Sequence, residues 1–590
     1  MSDLFAFYKS RISHFEQILK KVKKRLLLSS MLRLFTFLLG LFFLIFFFSK
    51  PSILIPVLLL LIVVFVILVA KHGDLQLKNE QISNLIQINK TEIEVLNGNF
   101  SDLPSGEEFI DPSHDFSHDI DLFGEHSFFQ YLNRTGLIEG RRGLSALLTS
   151  NNIHNIERKQ AAIAELGKKV DFRQQFSAAA GILENKNEVS NRRTIFENYA
   201  FSIPKFAGWF SMFFSAVTVI LAGGWCWGLF PWYIFLCWGV IGFIIKKIYS
   251  KRINLLGEKV SVFQNTFGNY HRLLELIERE CFSSEMLLQK YSEISSEKRK
   301  ASVLFKRFSK TIDSFDQRNV FIFGELANIF FLWDLNFAFQ LENWIKANGM
   351  KVPQWVSVVE YFDTYNSLGN FYFNHPQYVF PKIENGKTLI NSKGAGHPLI
   401  DPVRNVKNDF CIEEGQFFII TGANMAGKST FLRTVSLQMV MSNVGLPVCA
   451  EKCIYSPIKL ITSMRSTDSL SKGASYFYSE LSRLKFIVDK LKTDRYFIIL
   501  DEILKGTNSQ DKAIGSRKFV EKLIASQSTG LIATHDLSLC KIATISEEIK
   551  NFSFDVEIVG DELHFDYSIR EGICKNMNAS FLLKKMGIVD

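Results

Sequence analysis

Thr421-Gly-Ala-Asn-Met-Ala-Gly-Lys-Ser-Thr430 decides the reading of this chain. It fits G-x-x-x-x-G-K-[ST], a glycine loop whose backbone amides cradle phosphates. Gln416-Phe-Phe-Ile-Ile420 before it is a short apolar run of the buried-strand kind, and Phe431–Val440 after it reads as a helix. In that context Gly422 and Gly427 let the backbone approach an anion. The free N–H groups and positive dipole end of the following helix favour negative charge. Lys428 is expected to reach the β- and γ-phosphates of ATP, with the Ser429 hydroxyl on Mg2+ and Asn424 and Thr430 completing the binding set. A chance glycine loop is the competing reading, and the flanking strand and helix oppose it.

A second motif agrees. Tyr496-Phe-Ile-Ile-Leu-Asp-Glu502 is an apolar strand ending in two acids. Asp501 is placed to hold Mg2+ through water, and Glu502 to orient and activate an attacking water. Two acids also close many ordinary strands, but here a phosphate loop lies upstream. Gly530–Ala533 then reads as a strand ending in Thr534-His535-Asp536. If that strand lies beside the phosphate-loop strand, His535 senses the γ-phosphate; a purely structural histidine is the alternative.

Composition places the rest. The 590 residues imply several domains, and 47% hydrophobic content with 56 Phe is high for a chain that is also 22% charged. The excess sits in two blocks. Met31–Phe48 and Ser52–Ala70 are each long enough to span a membrane, with Ser49-Lys50-Pro51 as the turn between them. A signal peptide is disfavoured by the long charged stretch before the first span and the second span right after it. Ala207–Ile245 contains no charge and is divided near Gly223-Gly224 and Pro231, where Trp225, Trp227, Trp232 and Tyr233 cluster as an interfacial belt. Lys20, Lys21, Lys23, Lys24 and Arg25 precede the first hairpin, Lys71 follows it, and Lys246, Lys247, Lys251 and Arg252 follow the second. Both hairpins therefore have cytoplasmic ends. A net charge of +9 favours anionic partners, lipid or nucleic acid, and eight scattered Cys without a C-x-x-C pair point to a reducing compartment rather than a zinc site. Met1–Ser30 reads as a basic amphipathic helix, Gly73–Leu96 as polar helix, and 97–118 as a loop. From Leu255 the apolar seam Phe263, Phe267, Tyr270, Leu274, Ile277 suits helix packing. The basic run Lys298, Arg299, Lys300, Lys306, Arg307, Lys310 is either a solvated face or a contact for phosphates.

The order of nucleotide motifs resembles the ABC-type ATPases and, within them, the MutS family of DNA mismatch-repair proteins. Thr421–Thr430 is similar to that family's TGPNMGGKST, with Ala423 and Ala426 in place of Pro and Gly. Asp468–Glu480 is similar to its signature loop, with Tyr476 for Thr; Asp501-Glu-Ile-Leu-Lys-Gly-Thr507 to D-E-I-G-R-G-T; Gly396-His397-Pro398 to G-x-H-P. Weaker likenesses (Asn133–Thr135, Gly140-Arg141, Glu360–Asp363, Tyr378–Pro381) extend the resemblance upstream to about Asp121. The resemblance implies an α/β ATPase domain of the ABC-type P-loop kind joined to an all-α core, and a homodimer in which Gly473 and Ser475 of each signature loop cap the partner's ATP. It departs from the family in several ways. A membrane hairpin stands where the family's mismatch-reading domain would precede the core, a second hairpin interrupts the core, and no helix-turn-helix tail or nuclease domain follows, so mismatch recognition is not expected. The expected organisation is a basic helix (1–30), hairpin one (31–72), a linker (73–118), a first core segment (119–204), hairpin two (205–247), a second core segment (248–384) and the ATPase domain (385–590). The expected function is a dimeric, Mg2+-dependent ATPase in a bacterial inner membrane, touching lipid and coupling ATP to binding of DNA or a DNA structure. The alternative is an ATP-driven membrane machine, for transport or signalling, with no DNA role.

Overall fold

The computed structural model describes residues 2–184, 203–229, 231–267, 270–295, 300–319, 321–465, 476–559 and 562–574. Two long helices open the chain, α1 (Ser2–Phe46) and α2 (Pro51–Leu96), with Pro51 in the first turn of α2, where its missing N–H has no helical partner to lose. The sequence divides this region by polarity into a basic helix, two spans and a linker, but the helices run through those divisions without a break. Residues 20–30 and 71–90 are rich in Lys, Leu, Gln and Ile, all compatible with helix whatever their polarity. Residues 73–96, read from the sequence as polar helix within the linker, are the second half of α2.

Outside the spans α1 and α2 pack as a two-helix stalk, Val22 against Ile82 and Ile86. Its base is tied to the helical core. Tyr8 Oη donates to Asn374 Oδ1 (2.6 Å), Arg11 Nη2 to Asp171 (2.7 Å), and buried Asn89 exchanges bonds with Gln174 (3.1 and 3.0 Å). Over the spans the same helices turn Phe35, Phe37, Ile45, Phe46, Leu60 and Val66 outward, each more than half exposed. A continuous apolar surface of that extent belongs in lipid.

The core is helical: α3 (Phe128–Leu132), α4 (Ile138–Thr149), α5 (Ile156–Lys168), α6 (Val170–Glu184), α7 (Ala207–Cys226), α8 (Trp232–Phe267), α9 (Tyr270–Arg279), α10 (Glu285–Ser295), α11 (Ala301–Asp316), α12 (Phe321–Phe331), α13 (Trp333–Asn348) and α14 (Val352–Asn374). α14 is its axis, with Trp355, Val359, Phe362 and Leu368 buried and the Asp363 carboxylate accepting the Gly136 and Leu137 amides (3.0 and 2.9 Å). α7 and α8 are the second hairpin. Gly223-Gly224, expected at its turn, lie inside α7, which ends at Cys226 with the Trp227 side chain exposed just beyond it. α8 runs on past the expected end of the hairpin at 247. Of the predicted seam, Tyr270, Leu274 and Ile277 are buried; the side chains of Phe263 and Phe267 lie outside the described set. With α1 and α2, these make four helices long and apolar enough to cross a membrane.

α14 ends at His375, whose Nδ1–H donates to Phe371 O (2.7 Å) while Nε2 accepts from Tyr131 Oη (2.7 Å). That pairing is the neutral imidazole, and burial pulls its pKa down to about 4. The unfolded chain protonates this group near 6.5. Its contribution to stability is therefore complete above 6.5 and is lost as pH falls toward 4, at up to about 1.4 kcal/mol per pH unit. His375→Gln should flatten the loss of amide-exchange protection over 363–374 between pH 7 and 4.5, relative to intrinsic exchange rates; an unchanged slope would place the acid sensitivity elsewhere.

The C-terminal α/β region holds two sheets. The smaller has the order β1-β5-β2-β3, built from β1 (Lys382–Ile383), β2 (Thr388–Ala395), β3 (Asn408–Glu413) and, after β4 (Phe417–Gly422), β5 (Lys452–Tyr455). The larger runs β10-β9-β4-β8-β7-β6, with β6 (Lys459–Ser463), β7 (Tyr496–Asp501), β8 (Thr529–Ala533), β9 (Ile549–Val559) and β10 (Glu562–Glu571). It is parallel except for the β9–β10 pair. α15 (Lys428–Val444), α16 (Tyr476–Lys490) and α17 (Ser509–Ala525) pack around it. The fully buried β4 and β8 and the near-continuous apolar β7 are what a parallel sheet covered on both faces requires.

Candidate active site

β4 ends at Gly422, and α15 starts at Lys428 with Gly427 as its N-cap at φ +103°. A Cβ at 427 would also sit 3.1 Å from Tyr567 Cδ1, so conformation and space both call for glycine. The Lys428 ammonium is nearly buried and donates to the carbonyls of Gly422 (2.9 Å) and Ala423 (2.8 Å), which holds it under the loop. Burial pulls its pKa below the ordinary lysine value, with Asp501 and Glu502 acting against that pull.

β8 lies between β4 and β7, parallel to both. This is the placement expected for the strand before His535. The three strand ends are stitched together: Thr534 N–H donates to Ile420 O and Glu502 N–H to Ala533 O, both at 2.9 Å. Asp501 therefore faces Ser429, whose Oγ donates to its Oδ2 at 2.6 Å. Glu502 adopts φ +50°, and its Oε1 lies 3.4 Å from His535 Nε2, with Lys505 Nζ 3.6 Å from Oε2. Met425 (φ +67°) and Leu504 (φ +60°) share this left-handed backbone, so the site holds several strained positions. Burial and the nearby Lys428 hold the His535 pKa below its usual value, which leaves a neutral ring at pH 7.

These groups line a cleft of about 510 Å³ that includes Asn424, Gly427, Lys428, Ser429, Thr430, Asp501, Glu502 and His535. Gly422 stands behind it, at the strand end. Gly473 and Ser475 lie outside the described residues. The cleft fits a nucleotide. It has a helix N-terminus with free amides, one buried ammonium, and a hydroxyl–carboxylate pair whose hard oxygens suit Mg2+. Its far walls were not legible as site residues. His397, Arg404 and Asn405 come from the β2–β3 connection and Tyr567 from β10; of these, only the G-x-H-P likeness gave any signal.

Nor did the sequence single out Asp121. Its carboxylate binds Arg433 on α15 (3.1 Å) and Arg465 (2.5 Å), the last described residue before the 466–475 segment. Asp119 beside it is buried and accepts from Thr462 Oγ1 (2.6 Å) and the amides of Met464 and Arg465 (3.1 and 3.0 Å). The stretch after α2 is thereby fastened to the α/β region at the edge of the cleft.

Comparison with known proteins agrees with this geometry. Residues 418–584 match the family model described as MutS domain V. The chain is similar to the DNA mismatch repair protein MutS of Thermotoga petrophila, 31% identical over 217 residues that make up 36% of this chain and 27% of the relative. It is also similar to the DNA mismatch repair protein MSH4 of Arabidopsis thaliana, 30% identical over 33% of this chain and 25% of the relative. For the human MutS protein homolog 4 the figures are 29% identity, 34% of this chain and 22% of the relative. The match spans about a quarter of the length of these relatives. Residues 418–584 are thus a MutS-family domain, in a chain whose described residues also include four helices of membrane-spanning length and polarity.

Proposed function

We propose that this protein binds and hydrolyses ATP with Mg2+ as a homodimer, and that the cycle of binding and hydrolysis governs its grip on DNA or a DNA structure at the membrane. The observation that carries the ATPase reading is the meeting of Ser429–Asp501 and Glu502–His535 at the mouth of one phosphate loop. Lys428 supplies positive charge to the phosphates, and the amides at the start of α15 bind them. Ser429 and Asp501 would hold Mg2+, which would supply further charge neutralisation there. Glu502 takes the proton of the attacking water as the bond between the γ-phosphorus and the ADP oxygen breaks. Neutral His535 orients Glu502 and senses the γ-phosphate. Gly473 and Ser475 are assigned to capping the ATP of the second subunit.

DNA as the ligand is supported by the relatives, which are named for DNA mismatch repair, and by α11, where Lys306, Arg307 and Lys310 are exposed, with 306 and 310 one turn apart. Lys298 and Arg299 of that basic run lie outside the described residues. The test is ATP turnover of the full chain in lipid nanodiscs with duplex, branched or single-stranded DNA across salt concentrations. Stimulation that fades with salt is expected. Replacing Lys306, Arg307 and Lys310 by Ala should flatten the slope of log affinity against log salt by about 0.9 for each duplex phosphate that is no longer neutralised. Turnover indifferent to every DNA would favour the second reading, a membrane-coupled machine without a nucleic-acid ligand. The observation favouring that reading is that the second hairpin is packed into the helical core through α12 and α13 rather than hanging from it.

A further inference from the structure

We propose that α12 enters the membrane beside the second hairpin as a re-entrant helix, with its outer face on lipid acyl chains. Its eleven residues are too few to span a bilayer, which needs about 20, so no reading of length and hydropathy marks it. The inference rests on the membrane assignment of α7 and α8 and is independent of the ATPase reading.

α12 runs antiparallel to α8 and against it. Glu325 pairs with Lys246 (2.6 and 2.5 Å), Ile329 lies on Gly242, and Phe330 lies on Gly239. The Phe330 ring stacks on Phe235 with centroids 4.5 Å apart. Phe235 is about 16 Å along α8 from Lys246 at 1.5 Å per residue, roughly half the hydrocarbon thickness. The contact is close because α8 presents glycines: a Cβ at 242 would fall 1.9 Å from Ile329 O. Small residues at such crossings are how helices approach each other in lipid.

The end of α12 is met by polar groups of its neighbours. A helix leaves its last carbonyls open, and hydrocarbon offers nothing to fill them. Here Thr218 Oγ1 of α7 donates to Phe330 O (2.5 Å), and Trp238 Nε1 of α8 donates to Thr218 Oγ1 (2.9 Å); Ser215 Oγ, also on α7, shares its proton between Ser211 O of its own helix (2.8 Å) and Phe331 O (3.1 Å). Hydroxyls of a neighbouring span thus reach two of the terminal carbonyls. Leu332 then turns the chain at φ +47°, with Asn328 Oδ1 accepting the Asp334 amide (2.8 Å), and α13 leads back.

The outer face continues the apolar belt of the hairpin. Leu326 is 51% and Phe331 41% exposed, beside exposed Val240, Ile241 and Ile244 of α8. Charge follows the same logic. The uncharged part of α8 covers only 232–245, about 21 Å, which is short of the roughly 30 Å hydrocarbon core. Neutralising Lys246 with Glu325 lets α8 sit deeper than its own sequence allows.

The test is photolabelling of the full chain in phosphatidylcholine nanodiscs carrying a diazirine on the acyl chain, with adducts mapped by peptide mass spectrometry. Adducts on 321–331, within about fivefold of those on 232–245, are expected, together with slow amide exchange over 326–331. Labelled α7 and α8 beside an unlabelled α12 would overturn the proposal, whether solvent or a second copy of the chain covers that face. Glu325→Gln is expected to speed amide exchange in α8 around Lys246 in the same nanodiscs; exchange unchanged there would overturn the role given to the ion pair.

Discussion

Glu502→Gln should lower ATP turnover by a factor of about 10²–10⁴, the usual contribution of a positioned general base, and leave nucleotide binding in place. The substitution keeps the shape of the side chain and removes its capacity to take a proton. The groups assigned to binding are elsewhere: Lys428 is held by Gly422 and Ala423, Ser429 by Asp501, and the α15 amides by the helix itself. What the variant loses besides the base is the Lys505 contact at 3.6 Å, partly exposed and worth little. Single-turnover hydrolysis and equilibrium binding of a fluorescent ATP analogue separate the two effects. Turnover equal to that of the unaltered protein would remove Glu502 from the role of base. Loss of binding together with turnover would show that its strained backbone holds the cleft rather than the water. His535→Ala should cost less, since it removes an orienting contact rather than the proton acceptor.

The phosphate-loop side of this cleft was legible because each of its motifs is local. A phosphate loop, two acids and a Thr-His pair each follow an apolar strand. Parallel pairing then brings three such strand ends side by side in the order β4-β8-β7, whatever the chain does between them. Asp121 had no such signal. It meets Arg433 and Arg465 across more than three hundred residues, and an acid in a loop has no periodicity that would mark a distant partner. Helix continuity was hidden for a different reason. Polarity changes sharply at about residues 30 and 71, but backbone hydrogen bonding ignores polarity, so α1 and α2 carry straight from stalk to span. α12 escaped because membrane depth was read from length, whereas its placement comes from glycines and hydroxyls on its neighbours.

These long-range contacts close a physical route between the membrane and the cleft. α2 leaves the spans as one side of the stalk and passes into a segment that the α/β region grips at several points. Arg483 on α16 donates to the carbonyls of His114 (2.9 Å) and Asp115 (2.6 Å), Asp119 receives the end of β6, and Asp121 ties α15 to the base of the 466–475 segment. Little of the chain between α2 and α3 is free to act as a linker. A rearrangement at α15 or Arg465 therefore pulls on the chain that leads to hairpin one, through ion pairs and buried hydrogen bonds rather than through a slack connection.

The strength of that route is set at Glu92, and Glu92→Ala should destabilise the junction of α2 with the core by about 3–5 kcal/mol, the cost of stranding a buried charge. Its buried carboxylate accepts from Arg134 Nε (2.7 Å), Asn370 Nδ2 (3.0 Å) and Asn374 Nδ2 (2.8 Å), so one side chain joins α2, the turn after α3, and the end of α14. Arg173 lies in the same buried network, bonded to Asn370 Oδ1 (2.6 Å), and burial pushes its pKa down to about 10 against the pull of Tyr8 and Glu92. Removing Glu92 leaves the buried Arg173 and the partly buried Arg134 guanidinium groups with no carboxylate between them. Glu92→Gln retains the size and one acceptor for the amides, and should fall between Ala and the native residue. Because a chain of several domains does not unfold in one step, the readout is local: amide exchange over 85–96 and 363–374 in nanodiscs. Exchange faster by two orders of magnitude or more in both segments is the expected result for Ala, at 1.4 kcal/mol per factor of ten. If only 85–96 loosened, α2 would merely rest on the core and the stalk could not transmit force. If both loosened together while the α/β region stayed protected, the membrane helix and α14 would be one mechanical unit, and the ATP cycle would have to act on them as a pair.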